Sequence, residues 1–156
     1  MAPGLTDLIS RSRNLLFVGV GNLLKSDDGV GAVISNQIIE RAGIKALTVE
    51  VSIENYIGKI QSLAPDEMVI IDCMNLGAPP GTYRLLELDS LEDLTFNTHN
   101  ISLGRLGDFF SWSTFVLGIQ PETLSLGQVL SPPVLHTATR IIDLINHPHT
   151  GSHGYP

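Results

Sequence analysis

A six-residue apolar run, Leu15–Val20, leads into a glycine-containing loop and then into a helical pattern, and this succession restricts the fold more than any other feature. An uninterrupted apolar run of this length is typical of a strand buried on both faces of a parallel sheet. A helix is predicted from Asp27, and Gly43 is expected to end it. Apolar residues fall at helical spacing at Val30, Val33, Ile34 and Ile38. A buried strand followed by such a helix indicates an α/β fold.

The rest of the chain continues this alternation of strands and helices. Further strands are predicted at 46–51, 68–71, 82–88 and 114–119, with helices at 54–63, 102–110 and a final one carrying Leu135, Ala138, Ile142 and Ile145. Strands that alternate with helices build a parallel sheet covered on both faces. We therefore predict a three-layer α/β/α sandwich with a mostly parallel five-stranded twisted sheet, in which one edge strand can run antiparallel.

Length and composition favour one packed domain. The chain has 156 residues, of which 43% are apolar and only 16% charged, unlike a disordered protein. We expect a single domain over residues 1–156, with flexible ends at 1–13 and 147–156. The tail contains His147, His149 and His153, a weak metal-binding pattern for which a frayed terminus is the preferred interpretation.

Charge and cysteine content restrict the partners and the compartment. A formal net charge of -7 and nine scattered basic residues argue against a nucleic-acid partner, which requires clustered Lys and Arg. No run of about 18 apolar residues is present, so no membrane span is predicted. Cys73 is the only cysteine, which suits a reducing compartment, and a cytoplasmic protein is expected. Since no heptad pattern appears, we expect a monomer.

Acidic residues follow two of the predicted buried strands. In open α/β sheets the ligand site lies beyond the carboxyl ends of the strands. Asp28 follows the first strand, Asp72 ends the third, and His99 lies in the stretch after the edge strand. We expect these three side chains to converge. Neighbouring Asp27 is interpreted as a charge at the start of the helix.

A dinucleotide site is the first alternative, because Gly19-Val20-Gly21 is half of the dinucleotide fingerprint. The third glycine is missing, since Leu24 stands in its place. The acidic pair at the helix start would also repel a pyrophosphate, and no acidic residue closes the second strand. The dinucleotide reading is therefore rejected.

A divalent metal site is the second interpretation. Two carboxylates and an imidazole, from Asp28, Asp72 and His99, suit an ion such as zinc or nickel. Such an ion would relieve the repulsion between the carboxylates, polarise a peptide carbonyl and lower the pKa of bound water toward about 7. Hydrolysis is the expected chemistry. From spacing alone, ordinary roles stay open for the same residues: a helix charge, a strand-end turn and a loop histidine bonded to backbone.

Two kinds of neighbouring residue have a chemical and a structural interpretation. Asn22 and Asn100 could orient ligands or donate to an oxyanion, although turn bonding is at least as common for asparagine. Cys73 directly follows Asp72 and could be taken for a nucleophile, but no basic partner lies nearby in the sequence. A small core cysteine is therefore the preferred interpretation.

Taken together, these motifs resemble the hydrogenase maturation proteases. The segments that carry the resemblance are 19–22 with 27–31, 69–72, Thr98-His99-Asn100 and 117–122. The resemblance implies an endopeptidase that trims the carboxyl-terminal extension of the nickel-iron hydrogenase large-subunit precursor after nickel insertion. It implies that Asp28, Asp72 and His99 are both the metal ligands and the catalytic residues. The metal would be nickel supplied by the substrate, replaceable in vitro by ions such as zinc or cadmium.

The resemblance is greatest to the branch that processes the hydrogenase of formate hydrogenlyase complexes. The segment Val51-Ser52-Ile53-Glu54 departs from the family, where many relatives carry Gly-Gly or Asp-Gly. Substrate recognition by that loop is therefore open. Two rival functions also remain: a non-catalytic nickel-dependent chaperone of the large subunit, and a different peptidase on the same fold, resembling the spore germination protease.

Overall fold

The fold is an open five-stranded sheet with helices on both faces, as the alternation of strands and helices predicted. The computed structural model describes residues 4–91 and 103–148. The strands are β1 (Leu15–Val20), β2 (Ile44–Glu50), β3 (Glu67–Cys73), β4 (Tyr83–Glu87) and β5 (Ser113–Ile119), in the order β2-β1-β3-β5-β4. β2, β1, β3 and β5 are parallel, while β4 pairs antiparallel with β5 at the edge. The predicted fold class is confirmed.

The central strands divide the interior into two hydrophobic clusters, one on each face of the sheet. In β1, Leu15 and Phe17 join one cluster, whereas Leu16 and Val18 join the other. This alternation follows from the two-residue period of a strand. All six β1 residues are buried, which explains why the strand appears in the sequence as a continuous apolar run.

The helices are α1 (Leu5–Arg11), α2 (Val30–Asn36), α3 (Ile57–Leu63) and α4 (Pro132–Asn146). Short 3₁₀ turns lie at Ser26–Gly29, Ile53–Tyr56, Leu88–Ser90 and Leu103–Asp108. The predicted helix at 102–110 is thus a 3₁₀ segment within the described residues. No helix in the described part of the chain is long and apolar enough to cross a membrane.

Within the segment predicted as a flexible end over 1–13, the described residues from Gly4 onward include the packed helix α1. Leu5, Leu8 and Ile9 of α1 are buried in the same cluster as α2 and α4, and Leu8 is fully inaccessible. The spacing of these three residues places them on one face of the helix. Arg11, at the end of α1, forms a 2.8 Å ion pair with Glu67. Burial of that apolar face accounts for the ordered helix.

The first crossover helix is also shorter than predicted. α2 ends at Asn36, where Gln37 is its C-cap. Gly43 does not end the helix as expected: it has φ of 88° in the turn before β2, where its carbonyl accepts the Leu15 N–H at 2.8 Å. A φ in this region favours glycine, which explains the residue type. Gly43 therefore marks the turn before β2 and not the end of α2.

Candidate active site at the carboxyl edge of the sheet

Gly31 brings the start of α2 directly onto the ends of β1 and β3. A Cβ atom at Gly31 would lie 2.1 Å from the Ile71 carbonyl oxygen and 2.3 Å from that of Val20. Both distances are far below van der Waals contact, so only glycine fits this position. Gly19 is equally close-packed, since its Cβ would lie 2.3 Å from the Gly31 carbonyl oxygen. The glycines of the opening motif thus serve helix–strand packing, and they hold the Ser26–Gly29 turn at the carboxyl edge.

Asp28 lies in this turn and is only 2% exposed. The backbone N–H of Asn22 approaches both the Asp28 carbonyl oxygen, at 3.2 Å, and its Oδ2, at 3.3 Å. The side-chain oxygen of Asn22 accepts the Leu24 N–H at 2.9 Å, so that atom serves a loop turn. The loop after β1 therefore folds back on Asp28 and fixes the position of the carboxylate.

Asp72 lies near the end of β3 and is 4% exposed. Its Oδ1 accepts the N–H of Cys73 at 2.7 Å. Because β1 and β3 are adjacent parallel strands, their carboxyl ends reach the same edge of the sheet, on either side of the point where the strand order reverses. The topology therefore places Asp28 and Asp72 at one edge of the sheet.

The pKa of the Cys73 thiol depends on the negative charges around the end of β3. Burial raises the pKa of the thiol, and the negative charges of Asp72, Asp28 and Asp27 raise it further. Asp28 and Asp72 therefore lie within electrostatic range of a single sulfur atom. A thiol with so high a pKa stays protonated near neutral pH and is a poor nucleophile. Cys73 packs beside the core cluster, in agreement with its interpretation as a structural cysteine.

Asp27 has a larger structural role than the helix-start charge assigned from the sequence. It is fully buried, and its Oδ2 accepts the backbone N–H groups of Glu122 and Thr123 at 2.8 and 3.1 Å. The backbone N–H and the hydroxyl of Ser131 donate to Oδ1 and Oδ2 at 2.7 and 2.8 Å. One carboxylate thus fastens both ends of the loop between β5 and α4. The sequence offered only the paired acids as a signal for this role.

Ser26, one residue earlier, adopts a left-handed conformation with φ of 52°. Its N–H donates to the Gly127 carbonyl at 2.7 Å, and its hydroxyl donates to the Ser125 carbonyl at 2.8 Å. Such a conformation costs free energy for a residue with a side chain and persists only where neighbouring contacts hold it. Contacts with the β5–α4 loop therefore hold Ser26, the residue directly before Asp27 and Asp28, in its strained conformation.

The third predicted site residue, His99, lies outside the described residues, as does Asn100. Among residues 4–91 and 103–148, no group of three or more His, Cys, Asp or Glu side chains is arranged to hold a metal ion. Asp28 and Asp72 offer carboxylate oxygens, a donor type that divalent ions accept, and an imidazole from residue 99 would extend that donor set. In chemical type, the predicted residues fit a divalent ion.

A pocket of about 310 Å³ lies where β3 and β5 end, and among the described residues Cys73 is its only wall residue within a strand. Its walls are formed by Cys73, Asn75, Gln120, Pro121, Glu122, Thr123 and Leu124. Gln120 stabilises one side, because its Oε1 accepts the Leu76 N–H at 2.5 Å and its backbone carbonyl accepts the Gly81 N–H at 2.9 Å. Cys73, the residue after Asp72, is the wall residue that links this pocket to the acidic site.

A parallel sheet with two buried carboxylates at its switch point defines an α/β protein with an acidic site at the carboxyl edge. The sequence profile of the HycI family, described as hydrogenase maturation protease, matches residues 51–147. This match covers more than half of the chain, and the protein therefore belongs to the hydrogenase maturation protease family.

Individual proteins are similar to this chain in sequence or in fold. The chain is 26% identical over 121 residues to the hydrogenase 3 maturation protease of Escherichia coli K12, covering 74% of this chain and 78% of that protein. Its fold matches the [NiFe] hydrogenase maturation protease HycI from Thermococcus kodakarensis with a TM-score of 0.80 and 22% identity, over 91% and 96% of the two chains. The hydrogenase maturating endopeptidase HybD from E. coli matches with a TM-score of 0.70 and 21% identity, over 85% and 89%.

Proposed function

We propose that this protein is the endopeptidase that removes the carboxyl-terminal extension of a nickel-iron hydrogenase large-subunit precursor once nickel has been inserted. Membership in the maturation protease family supports a peptidase. The observation that carries the site assignment is the placement of two buried carboxylates, Asp28 and Asp72, after adjacent parallel strands and within range of one thiol.

In this proposal Asp28, Asp72 and His99 bind the nickel that the substrate supplies. Two carboxylates and an imidazole suit a divalent first-row ion. When bound, such an ion would polarise the scissile carbonyl and acidify a water molecule. Zinc or cadmium would be alternative ions in vitro.

The contribution of the chain itself is to position the substrate. Asp28 is held by the folded-back loop after β1, and Asp72 lies near the end of β3, in which residues 68–72 are buried. Carboxylates held in this way would fix the nickel centre and the adjacent peptide bond relative to each other. Because its thiol is held protonated, Cys73 takes no part as a nucleophile.

The finer assignments rest on the motif resemblance. Thr98-His99-Asn100 and Gly118-Ile119-Gln120-Pro121 resemble the branch that acts on the hydrogenase of formate hydrogenlyase complexes, and the match to the HycI profile supports that branch. We propose that substrate for this chain. We also propose that the chain acts as a cytoplasmic monomer with a single domain, since its acidic, cysteine-poor composition suits that setting.

The test is mass spectrometry of the large-subunit precursor after incubation with this protein, with and without nickel loading. We expect a single shortened product only from the nickel-loaded precursor. Asp28→Asn, Asp72→Asn and His99→Ala should each lower the cleavage rate at least about 100-fold, which corresponds to about 3 kcal/mol of transition-state stabilisation.

The matched control is Asp66→Asn, which changes an exposed aspartate just before β3, at the opposite end of that strand from Asp72. This variant should cleave at the wild-type rate. Full activity in the Asp28 or His99 variant would refute the site assignment. A stable complex with nickel-loaded precursor and no shortened product would instead identify a chaperone and refute the proposed activity.

A further inference from the structure

Five exposed aliphatic side chains lie on the two loops that meet beside Asp28, and we call this group the apolar rim. Leu23 and Leu24 follow β1, while Leu124, Leu126 and Val129 follow β5. Their exposed fractions are 39% and 58% for the first pair and 38%, 84% and 75% for the others. Grouped exposed apolar side chains of this size commonly mark an interaction site.

The loop that carries most of the apolar rim has an unusual composition for a solvent-exposed segment. Residues 123–130 read Thr-Leu-Ser-Leu-Gly-Gln-Val-Leu, without one charged side chain, in a chain whose net charge is -7. Exposed loops are normally polar. The lack of charge here means that contact with another protein would not require the desolvation of a charged group.

The two loops of the apolar rim are held to each other. The N–H of Gly127 donates to the Leu24 carbonyl at 2.9 Å, and the N–H of Ser26 donates to the Gly127 carbonyl at 2.7 Å. Asp27 fastens the β5–α4 loop at Glu122 and Ser131, on either side of the exposed residues. The apolar side chains therefore lie on a backbone that is held by hydrogen bonds. Binding of a partner would cost little free energy for ordering these two loops.

The apolar rim is continuous with the acidic site at both of its ends. A Cβ atom at Gly29 would lie 2.9 Å from Leu23 Cα, so Leu23 lies against the residue that follows Asp28. At the other end, Leu124 lines the 310 Å³ pocket that also includes Cys73, the residue after Asp72. The apolar rim therefore borders the two residues that follow the carboxylates, Gly29 and Cys73.

We propose that the apolar rim is the docking surface for the hydrogenase large-subunit precursor, which would cover it with aliphatic and aromatic side chains near the scissile bond. This inference rests on the proposed function. The precursor is favoured over a second copy of this chain, because a copy seated on the apolar rim would obstruct the approach to Asp28 and Asp72. Leu126 and Val129, the most exposed members, are expected to contribute most.

The test compares steady-state cleavage of nickel-loaded precursor by wild-type protein, by Leu126→Ser/Val129→Ser and by Ile39→Ser. Ile39 is 59% exposed, lies outside the apolar rim, and is the matched control for loss of a surface aliphatic group. We expect the double variant to raise KM about tenfold, the loss expected when two exposed side chains at the centre of an interface are truncated together. Its kcat and its thermal midpoint should stay near wild type, because neither side chain is buried.

Binding of the nickel-loaded precursor to Asp28→Asn protein, with and without the two serine substitutions, separates this proposal from the proposed function. Weaker binding of the triple variant supports docking, whatever the outcome for cleavage. Wild-type cleavage with an unchanged KM in the double variant would overturn the docking proposal and leave the peptidase assignment standing. A concentration-dependent dimer of the wild type that is abolished by the double substitution would also overturn it, by identifying a second copy as the occupant.

Discussion

Replacement of Asp27 by asparagine tests whether one buried carboxylate stabilises the whole acidic edge. Oδ2 accepts three hydrogen bonds and Oδ1 accepts a fourth, from the N–H of Ser131 at 2.7 Å. An asparagine that keeps its oxygen at the Oδ2 position would direct its NH₂ group at the Ser131 N–H. Three bonds would then lose their ionic character, about 1 kcal/mol each, and the fourth would be lost, about 2 kcal/mol.

Part of this loss is offset, because a neutral amide costs less to bury than a carboxylate. We therefore expect Asp27→Asn to lower the free energy of unfolding by about 3 kcal/mol. Urea denaturation followed by the fluorescence of Trp112, the only tryptophan, would measure the change. Trp112 stacks on Phe110 with ring centroids 5.3 Å apart, so unfolding alters its surroundings.

Two variants calibrate this measurement. Ser131→Ala removes only the hydroxyl donor to Asp27 and should cost about 1 kcal/mol. Asp66→Asn alters an exposed aspartate and should be close to neutral. If Asp27→Asn were as stable as Asp66→Asn, the charged hydrogen bonds between Asp27 and the β5–α4 loop would not contribute to the free energy of unfolding. That result would refute the prediction.

Three further predictions concern packing and the thiol. Gly31→Ala should lower the free energy of unfolding by more than about 3 kcal/mol or prevent folding. Gly58→Ala in α3 should raise it by about 0.5 kcal/mol, because a Cβ atom there meets nothing within 4 Å. Urea denaturation of both variants tests this contrast. Leu8→Ala should cost about 3 kcal/mol in the same assay, and a change below 1 kcal/mol would contradict the docking of α1. Cys73→Ala should keep wild-type cleavage, and native Cys73 should react with iodoacetamide at pH 8 far more slowly than the urea-unfolded chain, because its pKa is raised. As pH rises above about 8.5, the unfolded thiol ionises before the folded one, so wild-type stability should fall more steeply than that of Cys73→Ala.

The strands were predictable because each central strand is buried on both faces. Leu15–Val20 and residues 68–71 are uninterrupted apolar runs, and the observed strands β1 and β3 contain them. The antiparallel edge position of β4 fits the mixed polarity of residues 82–88, since an edge strand is only partly covered. Burial on two faces leaves a strong signal in the sequence, and the fold class followed from it.

Helix boundaries were harder to predict because tertiary contacts override local preference. Leu5, Leu8 and Ile9 make a short apolar face that gains stability only by packing against the core, so α1 gave little local signal. Gly43 has the residue type of a helix cap, but the chain uses its positive φ in the turn before β2. Such choices depend on where neighbouring elements lie, which periodicity alone does not encode.

The acidic site was partly predictable for a topological reason. Asp28 and Asp72 follow strands that lie side by side and parallel, so their placement at the same edge of the sheet follows from strand order, while their role in a site stays a prediction. The role of Asp27 was missed, because its hydrogen-bond partners Glu122 and Ser131 are 95 and 104 residues away in the chain. The placement of His99, outside the described residues, stays a prediction from the sequence.

The β5–α4 loop is attached to Asp27 at its two ends, and the residues between the ends take no part in the attachment. Asp27 holds the loop at residues 122–123 and at residue 131, mainly through backbone N–H groups that every residue except proline provides. Substitutions at residues 124, 126 and 129 should therefore leave the hydrogen bonds of Asp27 largely unaffected. Under the docking proposal, exchange of that short stretch would change which substrate is bound, while Asp28 and Asp72 keep their positions.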